Sequence, residues 1–294
     1  MTRTHLTCLA LVLALLAYPA LAQVSVTDFA GREVNLARPA QRIVALAPHI
    51  TEHLFSVGAG AKVVGVTSYS DYPPRAQAIR EVGTFAAWSL EVIVSLQPDL
   101  VVMWASGNGM DKLPVLERLG FTVYVSEPRR LADVPRALRD LGTLAGTPAA
   151  AEVQARQLEQ GLASLRSRYW RDDPVSVFYQ VWHRPLQTVN GEHMISDVIR
   201  LCGGENIFAL EPDIAPRVSI EAVLYRDPEV IVASGMDQAR PEWLDDWSDY
   251  PHLTAVRNNA LLFVDPDHLQ RPTMRILQGA ESLCRQLAHL PAAG

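Results

Sequence analysis

A twelve-residue segment occurs twice in the chain and constrains the fold more than any other feature. Residues 89–100 read SLEVIVSLQPDL, and residues 219–230, 130 positions later, read SIEAVLYRDPEV. Each copy has the pattern of a short helix that runs into a buried strand. A chain that repeats this unit is predicted to contain two α/β lobes related by an approximate duplication.

Short apolar runs alternate with helical patterns around both copies. The runs span 42–47, 63–66, 99–104, 122–126, 175–181, 229–234 and 260–265, and helical patterns span 51–57, 90–96, 113–119 and 134–141. Runs of this length that are rich in β-branched residues are typical of strands buried on both faces of a parallel sheet. The predicted fold class is therefore α/β, with one sheet in each lobe.

One long helix separates the two groups of strands. Thr147 and Pro148 predict its start, as a hydroxyl N-cap followed by proline in the first turn, and apolar residues keep helical spacing as far as Trp170. Alternating residues before Arg42 predict a leading hairpin. The predicted domains are an N-terminal lobe with this hairpin (23–146), a connecting helix (147–171) and a C-terminal lobe (172–294).

Residues 1–22 have the pattern of a secretory signal peptide. Arg3 precedes an apolar stretch, and Ala20, Leu21 and Ala22 form a small-residue cleavage site. We expect cleavage after Ala22 and a soluble exported protein. Losing Arg3 leaves 25 of the 26 basic residues against all 32 acidic ones, a balance that argues against a nucleic-acid partner.

Cleavage also removes one of the three cysteines and leaves Cys202 and Cys284. An oxidising compartment favours one disulfide between them, and two reduced, buried thiols are the alternative. The spacing of these cysteines matches no structural zinc motif.

The sequence contains no recognisable catalytic motif. The glycine-rich segment 58–65 follows a helical pattern and leads into a strand, the reverse of the order in a dinucleotide-binding loop. We therefore expect no enzyme. Four histidines near predicted strand ends are treated as isolated surface or helix-capping residues, any one of which could ligate cobalt or haem iron: His49, His183, His193 and His268.

Glu91 and Glu221 occupy the same place in the two copies of the repeat. Ser89 and Ser219 are candidate N-caps, so the helix dipole would stabilise each carboxylate by about 0.3–1 kcal/mol. Alternatively, matched lobes display matched carboxylates to a partner that has two equivalent basic pockets. The residues alone leave both interpretations open.

Three segments carry a resemblance to a known family: GVTSYSDYPP at 65–74, CGGENIF at 202–208 and DHLQRPTMRI at 267–276. From residue 42 to 287 the chain resembles the periplasmic cobalamin-binding proteins of bacterial ABC importers. They belong to a wider helical-backbone group that also serves haem, siderophores and metals. The resemblance implies two Rossmann-like α/β lobes joined by a single long rigid helix, with a ligand cleft between the lobes. We expect a periplasmic monomer.

The resemblance also implies roles for individual residues. Cys202 and Cys284 match the family's disulfide. Glu91 and Glu221 match the glutamates that meet arginines of the paired permease subunits. The expected ligand contacts are Tyr69, Phe85, Trp88, Trp104, Trp182, Asp267 and Arg271, with aromatic faces against the corrin ring and Asp267 and Arg271 bonded to its amide side chains.

The chain departs from the family at three aromatic positions. Phe85 and Ala215 stand where the family has tryptophan, and Val181 stands where it has phenylalanine; Trp88 and Trp182 lie nearby as replacements. The expected function is transport of cobalamin or a related corrinoid to an inner-membrane ABC importer, without covalent chemistry and with no cofactor besides this cargo. A haem, siderophore or metal carrier of the same fold is the alternative.

Overall fold

The computed structural model describes residues 23–235 and 239–290, so the predicted signal peptide lies outside the described part of the chain. The chain begins with the predicted hairpin, in which β1 (Val24–Thr27) pairs antiparallel with β2 (Glu33–Leu36). Val24, Val34 and Leu36 turn inward to the core, while Glu33 faces solvent. The alternating sequence thus forms a two-stranded antiparallel hairpin with one buried face.

The first lobe contains a four-stranded parallel sheet with the order β4-β3-β5-β6. Its strands are β3 (Ile43–Ala45), β4 (Val63–Val66), β5 (Leu100–Trp104) and β6 (Val123–Ser126). Its helices are α1 (Pro48–Ser56), α2 (Leu90–Ser95), α3 (Ala105–Asn108), α4 (Leu113–Arg118) and α5 (Asp133–Ala145). Every residue of β3 and β6 is buried, as expected for strands covered on both faces.

A single helix, α6 (Pro148–Tyr169), leads from this lobe to the next. Its 22 residues span about 33 Å at 1.5 Å per residue. Pro148 begins the helix as predicted, but the expected hydroxyl cap is wrong. The Thr147 side chain makes no capping hydrogen bond and has no partner among the described residues, because the tight turn from α5 fixes Thr147 through a bond from its N–H to the Gly142 carbonyl (2.7 Å).

The second lobe repeats the architecture with the strand order β10-β7-β11-β12. Its strands are β7 (Val175–Gln180), β8 (Trp182–His183), β9 (Leu186–Gln187), β10 (Gly204–Asn206), β11 (Val230–Ala233) and β12 (Leu261–Phe263), with β8 and β9 forming a separate hairpin. Its helices are α7 (Met194–Leu201), α8 (Ile220–Arg226), α9 (Thr254–Arg257), α10 (Pro266–Leu269) and α11 (Ile276–Ala288). The predicted fold class, two parallel-sheet lobes joined by one long helix, is confirmed.

The sequence repeat has the same structural role in both lobes. Each copy forms a short helix, α2 or α8, and leads into a central strand, β5 or β11. The acid next to the last residue of each copy bonds the backbone at the start of the neighbouring central strand. The Asp99 carboxylate accepts a hydrogen bond from the Arg42 N–H (2.9 Å), and the Glu229 carboxylate accepts one from the Ser176 N–H (2.7 Å). The repeat therefore encodes strand register as well as helix and strand.

Helix α6 packs against α5 of the first lobe and against α7 and α11 of the second. Glycine permits the closest approaches. A Cβ on Gly142 would lie 2.2 Å from the Ala151 Cβ, and a Cβ on Gly161 would lie 2.7 Å from a Leu277 methyl group. One apolar cluster consequently runs from the first sheet across α6 to the second sheet. Among the described residues, no helix combines the length and the apolar character needed to cross a membrane.

A disulfide joins Cys202, at the end of α7, to Cys284 in α11, with their Cα atoms 4.5 Å apart. Both residues are buried in the cluster that spans the lobes. The bond therefore closes a loop of 82 residues that contains most of the second sheet. The predicted disulfide is confirmed.

We predict that Cys202→Ser combined with Cys284→Ser lowers the free energy of unfolding by about 4 kcal/mol, because the unfolded chain gains the freedom of a long open loop. Thermal and urea denaturation would measure the loss. Reducing agent should lower the stability of the parent protein to that of the variant and leave the variant unchanged. Equal stability of parent and variant without reductant would contradict the prediction.

Candidate functional site

One of the contacts between the two lobes is a cluster of charged side chains, which we call the inter-lobe network: Glu52, Asp71, Asp267, Arg271 and Arg275. Glu52 lies on α1 of the first lobe, and its side chain is 2% exposed. Its carboxylate accepts hydrogen bonds from Arg271 Nη1 (2.9 Å), Arg275 Nε (2.9 Å) and Arg275 Nη2 (2.6 Å), all from the second lobe. One buried anion is thus paired with two cations across the boundary between the lobes.

Arg271 is the most highly connected member of the network. Besides Glu52, it bonds Asp71 of the first lobe (3.0 Å) and Asp267 of the second (2.9 Å). Partial burial alone would lower the pKa of Arg271, but the hydrogen bonds to Glu52 and Asp71 outweigh burial and raise it above its ordinary value. The predicted polar pair, Asp267 and Arg271, is therefore in direct contact and is tied to the opposite lobe as well.

Two buried histidines adjoin the network. His49 and His53 stand four residues apart on α1, and their rings meet edge to face with centroids 6.1 Å apart. His53 Nε2 lies 2.6 Å from the Pro272 carbonyl oxygen, a further contact between the lobes. Burial is the main cause that lowers the pKa of His49 to about 3 and that of His53 to about 4. Both rings are neutral at physiological pH.

The expectation that every histidine is an isolated surface or capping residue is wrong for His49. His49 and His53 are four residues apart in the sequence. Both are buried, because they lie on the part of α1 that contacts the second lobe. His193 is a cap as expected, since its Nδ1 accepts a hydrogen bond from the Ile195 N–H (3.1 Å). His183 and His268 are half-buried.

Aromatic rings of the first lobe gather at the carboxyl ends of its strands. Trp104, the last residue of β5, lies with its ring centroid 5.8 Å from Phe85 and 5.3 Å from His49. Asn108 fixes this arrangement: its side chain accepts from the Trp104 N–H (2.6 Å) and donates to the Phe85 carbonyl (2.6 Å). Phe85 and Trp104 are thereby held as a rigid pair, and Phe85 is 40% exposed.

Tyr69 lies on the loop that follows β4, the same loop that supplies Asp71 to the network. Its backbone adopts a left-handed conformation with φ 64°, and its side chain is 74% exposed. An exposed tyrosine ring two residues from Asp71 in the chain can offer an apolar face to a ligand. The position of Tyr69 is therefore compatible with the expected role.

Trp88 is in a different environment. It packs against the core on the outer side of the first sheet, with Val82, Ile93 and Leu116 among the buried members of that cluster. Lys112 Nζ covers its ring at 5.5 Å. The expected ligand contact of Trp88 stays a prediction, and this packing favours a structural role.

The second lobe presents its own aromatic group. Trp182, on β8, lies 4.9 Å from the ring centroid of His183, which in turn stacks on Trp243 at 5.5 Å with the ring planes 11° apart. The Trp182 indole N–H donates to the Arg184 carbonyl (3.1 Å). The structure therefore extends the predicted aromatic surface of this lobe by His183 and Trp243.

Glu91 and Glu221 both lie in the first turn of their helices and are exposed. The caps are the serines: Ser89 Oγ accepts from the Val92 N–H, and Ser219 Oγ accepts from the Ala222 N–H (3.1 Å). Hydrogen bonds from its own N–H and from Ser219 lower the pKa of Glu221 below its usual value. The two serines therefore cap these helices, and the carboxylates of Glu91 and Glu221 remain exposed at the surface.

Comparison with known proteins identifies the family. A sequence model described as periplasmic binding protein matches residues 43–268. The chain is 37% identical over 249 residues to the vitamin B12-binding protein of Vibrio cholerae serotype O1, covering 85% of this chain and 90% of that protein. This protein belongs to the periplasmic binding protein family.

Solved structures agree with this periplasmic binding protein assignment. The crystal structure of the periplasmic vitamin B12 binding protein BtuF of Vibrio cholerae matches with a TM-score of 0.78 and 36% identity, over 85% of this chain and 97% of that one. A periplasmic heme-binding protein from Roseiflexus sp. RS-1 matches with a TM-score of 0.72 at 23% identity, over 84% and 97%. The second match concerns the fold alone.

Two residues of this periplasmic binding protein were not predicted from the sequence. Glu52 and His53 were hidden because α1 buries polar residues around its whole circumference, so no apolar stripe marks the face that meets the other lobe. The HITEH spacing of residues 49–53 was the available signal. Among the described residues, no group of three or more His, Cys, Asp or Glu side chains is arranged to hold a metal ion.

We predict that stability falls as the pH decreases from 6.5 to about 4. His49 and His53 bind protons in the unfolded chain near pH 6.5 but not in the folded protein until about pH 3 and 4, so protons favour unfolding throughout this range. The loss is on the order of several kcal/mol, from about 1.4 kcal/mol per pKa unit. Thermal denaturation across this pH range would measure it.

The matched variants for this pH test are His49→Gln with His53→Gln, against His252→Gln as the control. The first pair should reduce the dependence of the melting temperature on pH between 6.5 and 4. His252 is exposed, so its replacement should leave that dependence unchanged. An identical slope in all three proteins would show that the buried histidines are not responsible.

Proposed function

We propose that this protein captures cobalamin or a related corrinoid in the periplasm and delivers it to an inner-membrane ABC importer. The observation that carries the proposal is the 37% identity to a vitamin B12-binding protein over 90% of that protein's length. A match that extends through both lobes includes both sides of the cleft. The geometry of that cleft supplies independent support.

The cleft offers two kinds of surface that suit a corrinoid. Tyr69, Phe85 and Trp104 give apolar ring faces on the first lobe, which complement a broad, flat macrocycle. The amide side chains around a corrin both donate and accept hydrogen bonds, and Asp267 and Arg271 can meet them on the second lobe. Trp182 and Trp243 extend the apolar surface on that side.

The charges of the inter-lobe network favour neutral amides over carboxylates as ligand groups. Its three carboxylates exceed its two guanidinium groups, and the neighbouring His49 and His53 are neutral. A haem propionate would add a fourth anion to this site, whereas a corrin amide adds none. This balance is the reason for ranking a corrinoid above haem as the cargo.

Transport requires binding, docking and release, and none of these steps needs a catalytic group. The corrinoid is cargo, and we propose that the protein acts as a monomer without a resident cofactor. Residues 1–22 would direct export and be removed after Ala22. Glu91 and Glu221 would then present one carboxylate from each lobe to the two permease subunits, with steering charge as their main contribution.

We predict one-to-one, submicromolar binding of cyanocobalamin by the exported protein in calorimetry, with haemin titrated in parallel. Trp104→Ala and Tyr69→Ala should each weaken binding by about tenfold, because each removes an aromatic face from the ligand. Trp170→Ala is the matched control, since Trp170 is half-exposed at the end of α6, where it contacts Arg166. Its replacement should leave the affinity unchanged.

The outcomes of this titration separate the two candidate cargoes. Binding of haemin without cyanocobalamin would reject the corrinoid proposal and retain a carrier of the same fold. Full affinity in Trp104→Ala and Tyr69→Ala would reject the proposed contacts while leaving the cargo assigned.

We predict that Glu91→Lys with Glu221→Lys abolishes cobalamin uptake and leaves cobalamin affinity unchanged. Each substitution reverses a surface charge that would face a basic pocket of the permease, and both residues lie in the first turn of a helix and outside the inter-lobe network. Uptake would be measured in bacteria that lack their own vitamin-binding protein. Normal uptake by the folded double variant would reject the docking role.

The matched control removes the caps and keeps the carboxylates. Ser89→Ala with Ser219→Ala eliminates the two side-chain caps, at a cost of about 1 kcal/mol each in stability. Uptake should persist in this variant. Loss of uptake in both variants to the same degree would indicate that intact helix ends, rather than the carboxylates, are what the importer requires.

A further inference from the structure

Within the inter-lobe network, three of the four hydrogen bonds that cross between the lobes go to one side chain. Glu52 receives three hydrogen bonds from Arg271 and Arg275, and its carboxylate is almost wholly removed from solvent. Hydrogen bonds between ionised partners at such a buried site are about twice as strong as neutral ones. Removing one partner leaves the remaining charges buried without compensation, which is costly.

We propose that Glu52 is a positioning residue for ligand binding: it holds Arg271 in place at the polar edge of the cleft and ties the two lobes together there. The inference rests on the proposed function, because Arg271 is one of the expected contacts of the corrinoid. It adds a residue that does not itself touch the ligand. Glu52 acts from the opposite lobe, through the guanidinium group.

The geometry of Arg271 explains why Glu52 has this influence. Arg271 Nη1 is shared by Glu52 and Asp71, and Nη2 bonds Asp267. Asp71 is 45% exposed, so water screens its attraction, and Asp267 belongs to the same lobe as Arg271. Glu52 is the carboxylate that is both buried and on the other lobe. The Nε–H of Arg271 and one Nη2–H have no role in these bonds and can serve a ligand.

Arg275 strengthens the same connection. It grips Glu52 with two N–H groups, and its guanidinium lies 4.3 Å from the centre of the Tyr72 ring on the first lobe. His53 contributes the contact to the Pro272 carbonyl. Residues 271–275 are therefore held against the first lobe at three points, and Glu52 is common to the two arginines. Loss of its charge should loosen the whole edge.

The test compares Glu52→Gln with Asp28→Asn. Asp28 is also a buried carboxylate paired with an arginine, Arg32, but both residues lie in the first lobe. Glu52→Gln should weaken cyanocobalamin binding by about tenfold, the effect of one charge-assisted hydrogen bond. Asp28→Asn should lower stability and leave affinity unchanged. If Asp28→Asn weakens binding equally, a general loss of stability explains the result and the proposal is rejected.

A double-variant measurement tests whether Glu52 affects ligand binding through Arg271 or independently of it. In protein that already carries Arg271→Met, Glu52→Gln should cause far less than its tenfold effect, because the guanidinium that it positions is gone. Independent, additive losses would overturn the proposal. If Glu52→Gln does not fold, Glu52→Asp replaces it in both experiments, because it retains the charge but shortens the side chain that reaches Arg271.

A third measurement needs no ligand and so distinguishes this proposal from the proposed function. Spin labels at Leu119→Cys and Leu210→Cys, exposed positions on opposite lobes, would report the distribution of distances between the lobes by pulsed electron paramagnetic resonance. Glu52→Gln should broaden it, and Asp28→Asn should not. Broadening with no cyanocobalamin binding by the parent protein would reject the cargo and keep the tie between the lobes. An unchanged distribution would overturn the tie.

Discussion

Continuous packing through α6 is the constraint on which the two-lobed structure depends. The apolar cluster that begins in the first sheet continues across this helix into the second sheet, and Gly142 and Gly161 allow the neighbouring helices to approach it closely. The buried residues of α6 form one stripe along the helix, and the helix packs against both lobes, so bending it would open cavities in this cluster. This packing favours small adjustments over large relative motions of the lobes.

The duplicated lobes differ where they face each other. Both copies of the repeat produce the same helix, strand and fastening acid, through Asp99 in one lobe and Glu229 in the other. At the cleft, the first lobe supplies the buried carboxylate Glu52, whereas the second supplies the arginines. Duplication therefore accounts for the scaffold and for the paired surface glutamates, while the charged contacts between the lobes come from residues outside the repeat.

The sequence was sufficient for those features that depend on local pattern. Buried parallel strands and the long helix follow from the spacing of apolar residues, and α6 begins at Pro148 as predicted. The prediction that the Thr147 hydroxyl caps α6 was wrong, because the turn from α5 determines the conformation of Thr147. Roles that depend on contacts between distant segments, such as the support that Asn108 gives to Trp104 and Phe85, have no local signature.

The inter-lobe network illustrates why a sequence can predict some residues of a site without predicting which residues they contact. Asp267 and Arg271 were identifiable as a pair, but Glu52, which accepts a hydrogen bond from Arg271, lies 219 residues away in the chain. A buried network of charges contributes little net stability compared with apolar packing, so its presence is better explained by the specific arrangement that it imposes. Neutral His49 and His53 complete this logic, because a protonated ring at that place would compete with the arginines for Glu52. The arrangement of the inter-lobe network therefore depends on the neutral state of His49 and His53 as well as on the charges of Glu52 and the two arginines.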